Sequence, residues 1–588
     1  MRAPGVDEIS GYLAMPDGCS VYVRQYTPEG GGRKRPVVVV PADGEERTWS
    51  QRTMVNLARS LARVGHPVVR FDFRGQGESD GPFEATDVGS RLEDLAAVVE
   101  RTRSWSGVAP SLVGFRLGAT VAAHHAAATA GVVGPIVAVE PVDSIPTYID
   151  DMLRKNLANQ FAVQKKVIVN RKQLLERVRS GTNVSCNGFH LSRGFLESLE
   201  RLEQAGVQQR IAALSALWIS RPAGQEAGVP RGIPTFWSER PILGPHPSEL
   251  FRAVEARLDD VQAVKWSGPF PLDDASGGGS RVASIATGSG RLVATWHSLR
   301  GDGTAFLFLN PGPNDRSGPH GLYARLAAAL AAEGHHVLRL DARSIGESEG
   351  DDQGNQGRPV VDYYREINEG AMVSSAAAAL NWLAGRGHRE TVLFGLCGGA
   401  VNAALAACET TSQVRHVVLL GTPVLHLGVG EGVALSDEAV RDEVKILRHK
   451  LVDPGSLIRF LTFRSDYRAV GRVIAALAGR MTGSRGRTGS GGDERPLHPQ
   501  TIMPLVRAIA GFRSAGGRPV FVFSEHDRLL GLFRTHFPSS ARGAGGPENL
   551  DLRVLAGANH NVTDRPSEAR LLEILRSAPH PSAAERLS

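Results

Sequence analysis

The chain has 588 residues, 42% hydrophobic and 22% charged, which excludes a mainly disordered or fibrous protein and allows three or four domains, or two large α/β ones. Its 67 Lys and Arg against 61 Asp and Glu leave +6, too small an excess over this length to imply nucleic-acid binding. The longest apolar runs, such as Pro36 to Pro41 and Val417 to Leu420, fall far short of the roughly 20 residues of a membrane span.

Met1 to Ser10 holds no apolar signal core, and four cysteines (Cys19, Cys186, Cys397, Cys408) are too few for a disulfide framework. Both point to a cytoplasmic protein. A strand is expected over Cys19 to Tyr26, then a buried strand over Val37 to Val40. A helix leads to a strand over Pro67 to Phe71, and another helix to a strand over Pro110 to Val113. Strands alternating with helices at this spacing mean βαβ units and a parallel sheet. The last of these strands runs into Gly114-Phe115-Arg116-Leu117-Gly118 and an alanine-rich helix.

A mostly helical insertion follows, about Ser144 to Leu202. It holds the densest basic stretch, Arg154 to Arg179, with Leu153, Leu157, Phe161, Ile168, Leu174 and Leu175 at helical spacing. The stretch reads as a solvated helical face, with an anionic ligand or partner as the alternative. Strands over Ala213 to Ile219 and Val261 to Trp266 close this half. Asp273 to Ser280 is rich in Gly and Ser and reads as a flexible linker.

The chain then repeats itself. Arg70-Phe-Asp72-Phe-Arg74-Gly-Gln-Gly77-Glu78-Ser79 recurs 269 residues on (70 to 339) as Arg339-Leu-Asp341-Ala-Arg343-Ser-Ile-Gly346-Glu347-Ser348. Gly65-His66 and the Leu57 to Ala62 helix recur at the same offset, at Gly334-His335 and Leu326 to Ala331. So long a period means two tandem copies of one domain, not a solenoid. The expected layout is a first domain over 1–272, a linker over 273–280, a second domain over 281–578 and a tail over 579–588. Strands are expected over Arg291 to Ser298, Ala305 to Leu309, His336 to Leu340 and Thr391 to Phe394. A second insertion, about Leu427 to Gln500, is expected to cap the sheet edge, and its Gly479 to Asp493 stretch is Gly/Ser/Arg-rich.

The chemistry sits in the second copy. Gly395-Leu396-Cys397-Gly398-Gly399 lies between a strand and an alanine-rich helix. That is the nucleophile elbow Gly-x-Ser-x-Gly with Cys for Ser, where backbone N–H groups and the helix dipole favour thiolate. The alternative is a buried structural Cys in a tight turn. A nucleophile needs a base, and the base an orienting acid, in the chain order nucleophile, acid, His. Val520 to Phe523 runs into Ser524-Glu525-His526-Asp527, and Leu552 to Leu555 into a loop with His560 before the last helix. The candidate triad is Cys397, His560 and Asp527, with Glu525 and His526 as alternative acid and base. The oxyanion hole would use the N–H of Gly398 and one from Asn310-Pro-Gly312-Pro-Asn314, with Asn314 preferred and Gly312 the alternative.

In the first copy Arg116 holds the nucleophile position, and its guanidinium is no nucleophile. No Asp occurs in Ser220 to Gly224 and no His in Ser267 to Pro271. This copy is a degenerate domain, with Arg116 either binding a carboxylate or phosphate or paired within the fold. The scattered His give no metal constellation, no phosphate loop stands out, and no cofactor is expected.

These residues resemble the α/β-hydrolase superfamily over nearly the whole chain, twice. The Arg-x-Asp-x-Arg-x-x-Gly-x-Ser segment is similar to the serine-aminopeptidase-like branch. Gly395-Leu396-Cys397 resembles the elbow of the first of two hydrolase-like proteins encoded with exosortase systems. Phe115-Arg116-Leu117-Gly118-Ala119, with Gly268-Pro269-Phe270, resembles the second. Cysteine elbows also occur in dienelactone hydrolases and polyhydroxyalkanoate synthases. The resemblance implies two α/β-hydrolase domains, each a mostly parallel sheet flanked by helices; each insertion is expected to form a helical cap, and an intrachain pseudo-dimer of the two copies is one packing open to them. The expected reaction is hydrolysis of an ester, thioester or lactone through an acyl-Cys, on a small, free or carrier-bound acyl substrate. Acyl transfer or cyclisation from the same intermediate is the first alternative, and a non-catalytic scaffold the second.

Overall fold

The structure, a computed structural model, describes residues 5–129, 131–206, 216–219, 247–258, 264, 266, 268–298, 303–350, 360–410, 412–426, 498–538 and 550–578. Most of the second insertion (427–497), the Ser220 to Gly224 segment and the 579–588 tail lie outside the described residues.

The first sheet uses β1 (Val6–Ala14), β2 (Ser20–Pro28), β3 (Val37–Val40), β4 (Val68–Phe71), β5 (Ser111–Phe115), β6 (Ile136–Val139), the β7–β8 hairpin (Val184–Cys186, Phe189–Leu191) standing apart, and β9 (Ala216–Ile219). Its order is β1-β2-β4-β3-β5-β6-β9. β1 and β2 are antiparallel additions, and β3, β4, β5, β6 and β9 run parallel. The four valines of β3 are all buried because helices cover both faces of a parallel sheet. The second sheet repeats the plan with β10 (Ser280–Thr287), β11 (Gly290–His297), β12 (Ala305–Leu309), β13 (His336–Leu340), β14 (Thr391–Leu396), β15 (Val414–Leu420), β16 (Arg518–Ser524) and β17 (Asp551–Leu555). Its order is β10-β11-β13-β12-β14-β15-β16-β17. This is an α/β fold of mostly parallel sheets flanked by helices.

Two sequence readings change. The Asp273 to Ser280 stretch is tied down: Asp273 exchanges two 2.9 Å backbone hydrogen bonds with Tyr12, Ser276 is buried, and Ser280 already opens β10. Small residues here fit a close approach rather than a free linker. The basic stretch is split between two helices, Ile145–Gln164 and Arg171–Arg179. Leu153 and Leu174 are buried, but Phe161, in the last turn of the first helix, and Ile168, between the two helices, are exposed.

The repeated segments meet each other. Arg70 Nη1 donates to Glu347 at 2.9 Å, and Arg339 Nη1 and Nη2 donate to Glu78 at 2.9 and 2.8 Å. Each arginine thus pairs with the glutamate of the other copy. The neighbours swap likewise. Arg24 on β2 lies 3.6 Å from Glu347, and Thr295, its equivalent on β11, donates to Glu78 at 2.5 Å. Within each copy Arg47 holds Asp72 (2.9 Å) and Arg316 holds Asp341 (2.6 Å), again 269 residues apart. Burial alone would push the Glu78 carboxyl up; Arg339 and then Arg316 outweigh it and hold it down to about 2.

Candidate functional site

Cys397 ends β14 and caps the Gly398–Glu409 helix at φ 57°, ψ −119°. A non-glycine residue there is strained, at a cost of order 1–3 kcal/mol. Close packing enforces the turn: a Cβ on Gly395 would lie 2.1 Å from the Gly399 carbonyl oxygen, and one on Gly399 2.5 Å from that of Asn310. Beneath it the buried Tyr323 hydroxyl donates to Leu309 O (3.1 Å) and accepts from Leu396 N (2.9 Å), clamping β12 to β14. Nothing in the sequence pattern distinguishes this tyrosine from ordinary core.

The structure brings Asp527 and His560 to this turn. Asp527 follows β16 and caps the Arg528–His536 helix, its Oδ1 accepting from Leu529 N at 2.9 Å. Its Oδ2 meets His560 Nδ1 at 2.6 Å. The Cys397 side chain is close enough to His560 to favour its charged form. Burial alone would push the His560 pKa down; the bond to Asp527 and then the nearby Cys397 outweigh it, and it is pushed up to about 10. Glu525, by contrast, is half-exposed and accepts from Gly557 N at 2.7 Å, with His526 beside it at 4.0 Å.

Gly312 stands against Gly398: its N and Cα lie 3.6 Å from where a Gly398 Cβ would be. Asn314 lies two residues on, its carbonyl accepting from Asn310 Nδ2 at 3.0 Å. Gly421, at the end of β15, was not singled out from sequence, yet it flanks the pair. A Cβ there would lie 2.9 Å from His560 Cε1 and 3.2 Å from Asp527 Oδ2.

The first copy keeps the frame with other contents. Arg116 has φ 50°, ψ −124°, and its N donates to Val139 O at 3.0 Å, as Cys397 N does to Leu420 O at 2.9 Å. The next residue is Glu140 (φ 45°) where the second copy has Gly421 (φ 55°), so a side chain occupies the place that must stay empty for His560. Arg116 pairs within the fold, Nε to Glu46 at 3.0 Å and Nη1 to Glu140 O at 3.1 Å. It borders a cavity of about 220 Å³ lined also by Trp49, Tyr148, Lys155 and Phe189. Among the described residues no helix is long and apolar enough to cross a membrane, and no group of three or more His, Cys, Asp or Glu is placed to hold a metal.

Two strained elbows, each between a parallel strand and a helix, define an α/β-hydrolase fold. Residues 37–319 are similar to the family model described as the alpha/beta hydrolase family. No curated protein matches the sequence. Among solved structures, the thioesterase domain from a curacin biosynthetic pathway is similar at 12% identity, covering 50% of this chain and 99% of that one, with a TM-score of 0.29. A dienelactone hydrolase from Anabaena variabilis is similar at 13% identity, covering 51% and 95%, with a TM-score of 0.29. A proline iminopeptidase from Mycobacterium smegmatis is similar at 14% identity, covering 50% and 98%, with a TM-score of 0.29.

Proposed function

We propose that Cys397, His560 and Asp527 form a nucleophile–base–acid triad that cleaves an ester, thioester or lactone through an acyl-Cys intermediate. The observation that supports it is Cys397 on a strained elbow, near enough to His560 to favour its charged form, with His560 Nδ1 2.6 Å from Asp527. An imidazolium with its pKa near 10 is charged at neutral pH, so it stabilises negative charge on the adjacent sulfur. The thiolate attacks the carbonyl carbon. The oxyanion takes hydrogen bonds from the N–H groups of Gly398 and Gly312. Collapse breaks the bond to the leaving alkoxide or thiolate, which takes the proton from His560. Neutral His560 then removes a proton from water, hydroxide attacks the thioester, and the acid leaves as Cys397 returns to thiolate. An amine or alcohol in place of water gives acyl transfer by the same steps, and a thioester intermediate suits that route. The substrate is a small acyl compound, free or carrier-bound.

On this reading residues 1–272 are a degenerate copy and 281–578 the catalytic one, packed as an intrachain pseudo-dimer through the swapped Arg–Glu pairs. Four free cysteines suit a reducing, cytoplasmic setting. The test is labelling with iodoacetamide. Fast alkylation of Cys397, flat across neutral pH and abolished by His560→Ala, supports the triad. Labelling no faster than at Cys408 refutes it and leaves a non-catalytic scaffold. Turnover of a p-nitrophenyl ester or acyl-thioester, with and without an added amine, separates hydrolase from transferase.

A further inference from the structure

We propose that the first copy completes the second copy's active site: its β7–β8 hairpin is the positioning element for the loop that carries His560. This rests on the triad reading above. The loop runs from Ala556 to Asp564, between β17 and the last helix. Ser185, on the hairpin, donates its hydroxyl to Thr563 O at 3.0 Å and accepts from Gly188 N at 3.1 Å. Asn559, next to His560, donates to Asn159 of the Ile145–Gln164 helix at 3.5 Å and to Thr563 Oγ1 at 2.9 Å.

A second support passes through His320. Its Nε2–H donates to Asn561 O at 2.9 Å, while Nδ1 accepts from Arg325 at 3.0 Å. Burial, then Arg325, push its pKa down to about 3, so the ring stays neutral with this tautomer fixed. The hairpin closes on that ring: a Cβ on Gly188 would lie 2.2 Å from His320 Cγ, and Phe189 meets it edge-on at 6.5 Å. The hairpin is itself anchored in the first copy, by Asn156 Nδ2 to Ser185 O (2.7 Å) and Asn187 Nδ2 to Glu45 (2.7 Å). Asn559 and Asn561 flank His560: the first is held by Asn159 of the first copy, the second by His320, against which the hairpin packs.

The test uses the full chain carrying Ser185→Ala, Ser185→Thr, Gly188→Ala or His560→Ala. Hydrogen exchange is read over 556–564, with the rate–pH profile of Cys397 alkylation. Ser185→Ala and Gly188→Ala should raise exchange in the loop about tenfold and move the alkylation profile toward that of His560→Ala, with Ser185→Thr restoring both. Wild-type exchange and profile in both hairpin variants, beside a shifted His560→Ala, overturns the proposal. A His560→Ala profile like wild type means the triad reading has failed instead. Exchange then decides alone whether the hairpin holds the loop: faster exchange supports that, and unchanged exchange overturns it.

A separate observation concerns the tip of the same insertion. The last turn of Ile145–Gln164 and the segment joining it to Arg171–Arg179 expose Phe161, Val167 and Ile168 at 39%, 48% and 55%. Those are three of the eight exposed large apolar residues among the described ones. Four of the chain's eight lysines, Lys155, Lys165, Lys166 and Lys172, fall in the same stretch. Lys155 turns inward to Glu45, whereas Lys166 and Lys172 are exposed without an ion pair among the described residues. Apolar side chains ringed by lysines are the pattern of an interfacial contact, and the geometry points to the surface of an anionic bilayer as the occupant. Phosphatidylcholine vesicles with and without phosphatidylglycerol test it by co-sedimentation. Binding should need the anionic lipid and weaken about fivefold for each lysine removed in Lys166→Gln/Lys172→Gln. It should also fall in Val167→Ser/Ile168→Ser. No sedimentation of the wild type, or binding unchanged in both variants, overturns it.

Discussion

Gly421 closes the space behind His560, and replacing it separates backbone strain from damage to the site. A Cβ there would lie 2.9 Å from His560 Cε1, 3.1 Å from its Nδ1 and 3.2 Å from Asp527 Oδ2, at a φ of +55°. Left-handed backbone costs an alanine about 1–2 kcal/mol. The methyl must also open those contacts toward about 3.5 Å, moving the imidazole by roughly half an ångström or more. A misplacement of about 1 Å can cost about 10²-fold in rate. Gly557→Ala is the control. It sits in the same loop as His560 at φ +70°, and nothing lies within 4 Å of the added Cβ. Urea unfolding should show a loss of about 1–2 kcal/mol in both variants. Only Gly421→Ala should lose about 10²-fold in kcat/KM on a p-nitrophenyl ester and slow Cys397 alkylation at neutral pH. Equal activity in the two variants refutes the reasoning.

Asp527→Asn should lower turnover by about 10³–10⁴-fold by releasing the His560 tautomer, with the melting temperature as the check that the fold is intact. His560 titrates near 10 in the folded chain against 6.5 for the free group. Its stabilisation is therefore full below pH 6.5 and drains away as pH rises through 10; a urea midpoint that fails to fall over this window more in wild type than in His560→Gln contradicts this. Glu78 behaves oppositely. Held down to about 2 from 4.5, it contributes fully above pH 4.5 and loses that contribution as pH falls through 2, so acid unfolding should lose part of its pH dependence in Glu78→Gln. Removing one partner of the buried Arg339–Glu78 pair should cost about 3–5 kcal/mol, and a double-mutant cycle of Arg339→Met with Glu78→Gln should show less than additive loss.

Much of the fold was legible in period and punctuation. Val37 to Val40, Ala305 to Leu309 and His336 to Leu340 are strands with the expected ends, because short β-branched or apolar runs between turns have few other fates. Both elbows were legible because glycines at fixed spacing around one residue mark a turn that nothing else fits. The contact of His560 with Asp527 was legible only as chain order, since neither loop carries a signal of its own. Gly421 and Tyr323 were not legible: one matters for an empty volume and the other for a clamp between strands, and both arise only in three dimensions. Asp273 to Ser280 misled in the other direction, because Gly and Ser serve a close-packed crossing as well as a free linker. Phe161 and Ile168 kept helical spacing, although the first helix buries nothing beyond Leu153 and Ile168 falls between the two helices.

The two halves of the chain differ most where chemistry would occur and least where they touch. At the elbow the first copy has Arg116 for Cys397, and behind it Glu140 for Gly421. Either change suffices to remove the proposed mechanism, one by replacing the sulfur and the other by filling the space beside the base. The segment with Arg70, Asp72, Glu78 and Ser79 is instead matched position by position at Arg339, Asp341, Glu347 and Ser348. Those are the residues whose arginines and glutamates cross between the copies, all of them buried. Buried ion pairs are poor sources of net stability, but an unpaired one is costly. Changing Arg70 removes one of the cations around Glu347 of the other copy, and changing Arg339 removes the main partner of Glu78. The interface therefore constrains both copies at once, while the elbow constrains only the copy that uses it. On the proposed reading, the first half has lost its chemistry and is kept for the surface, and the hairpin, that it presents to the second.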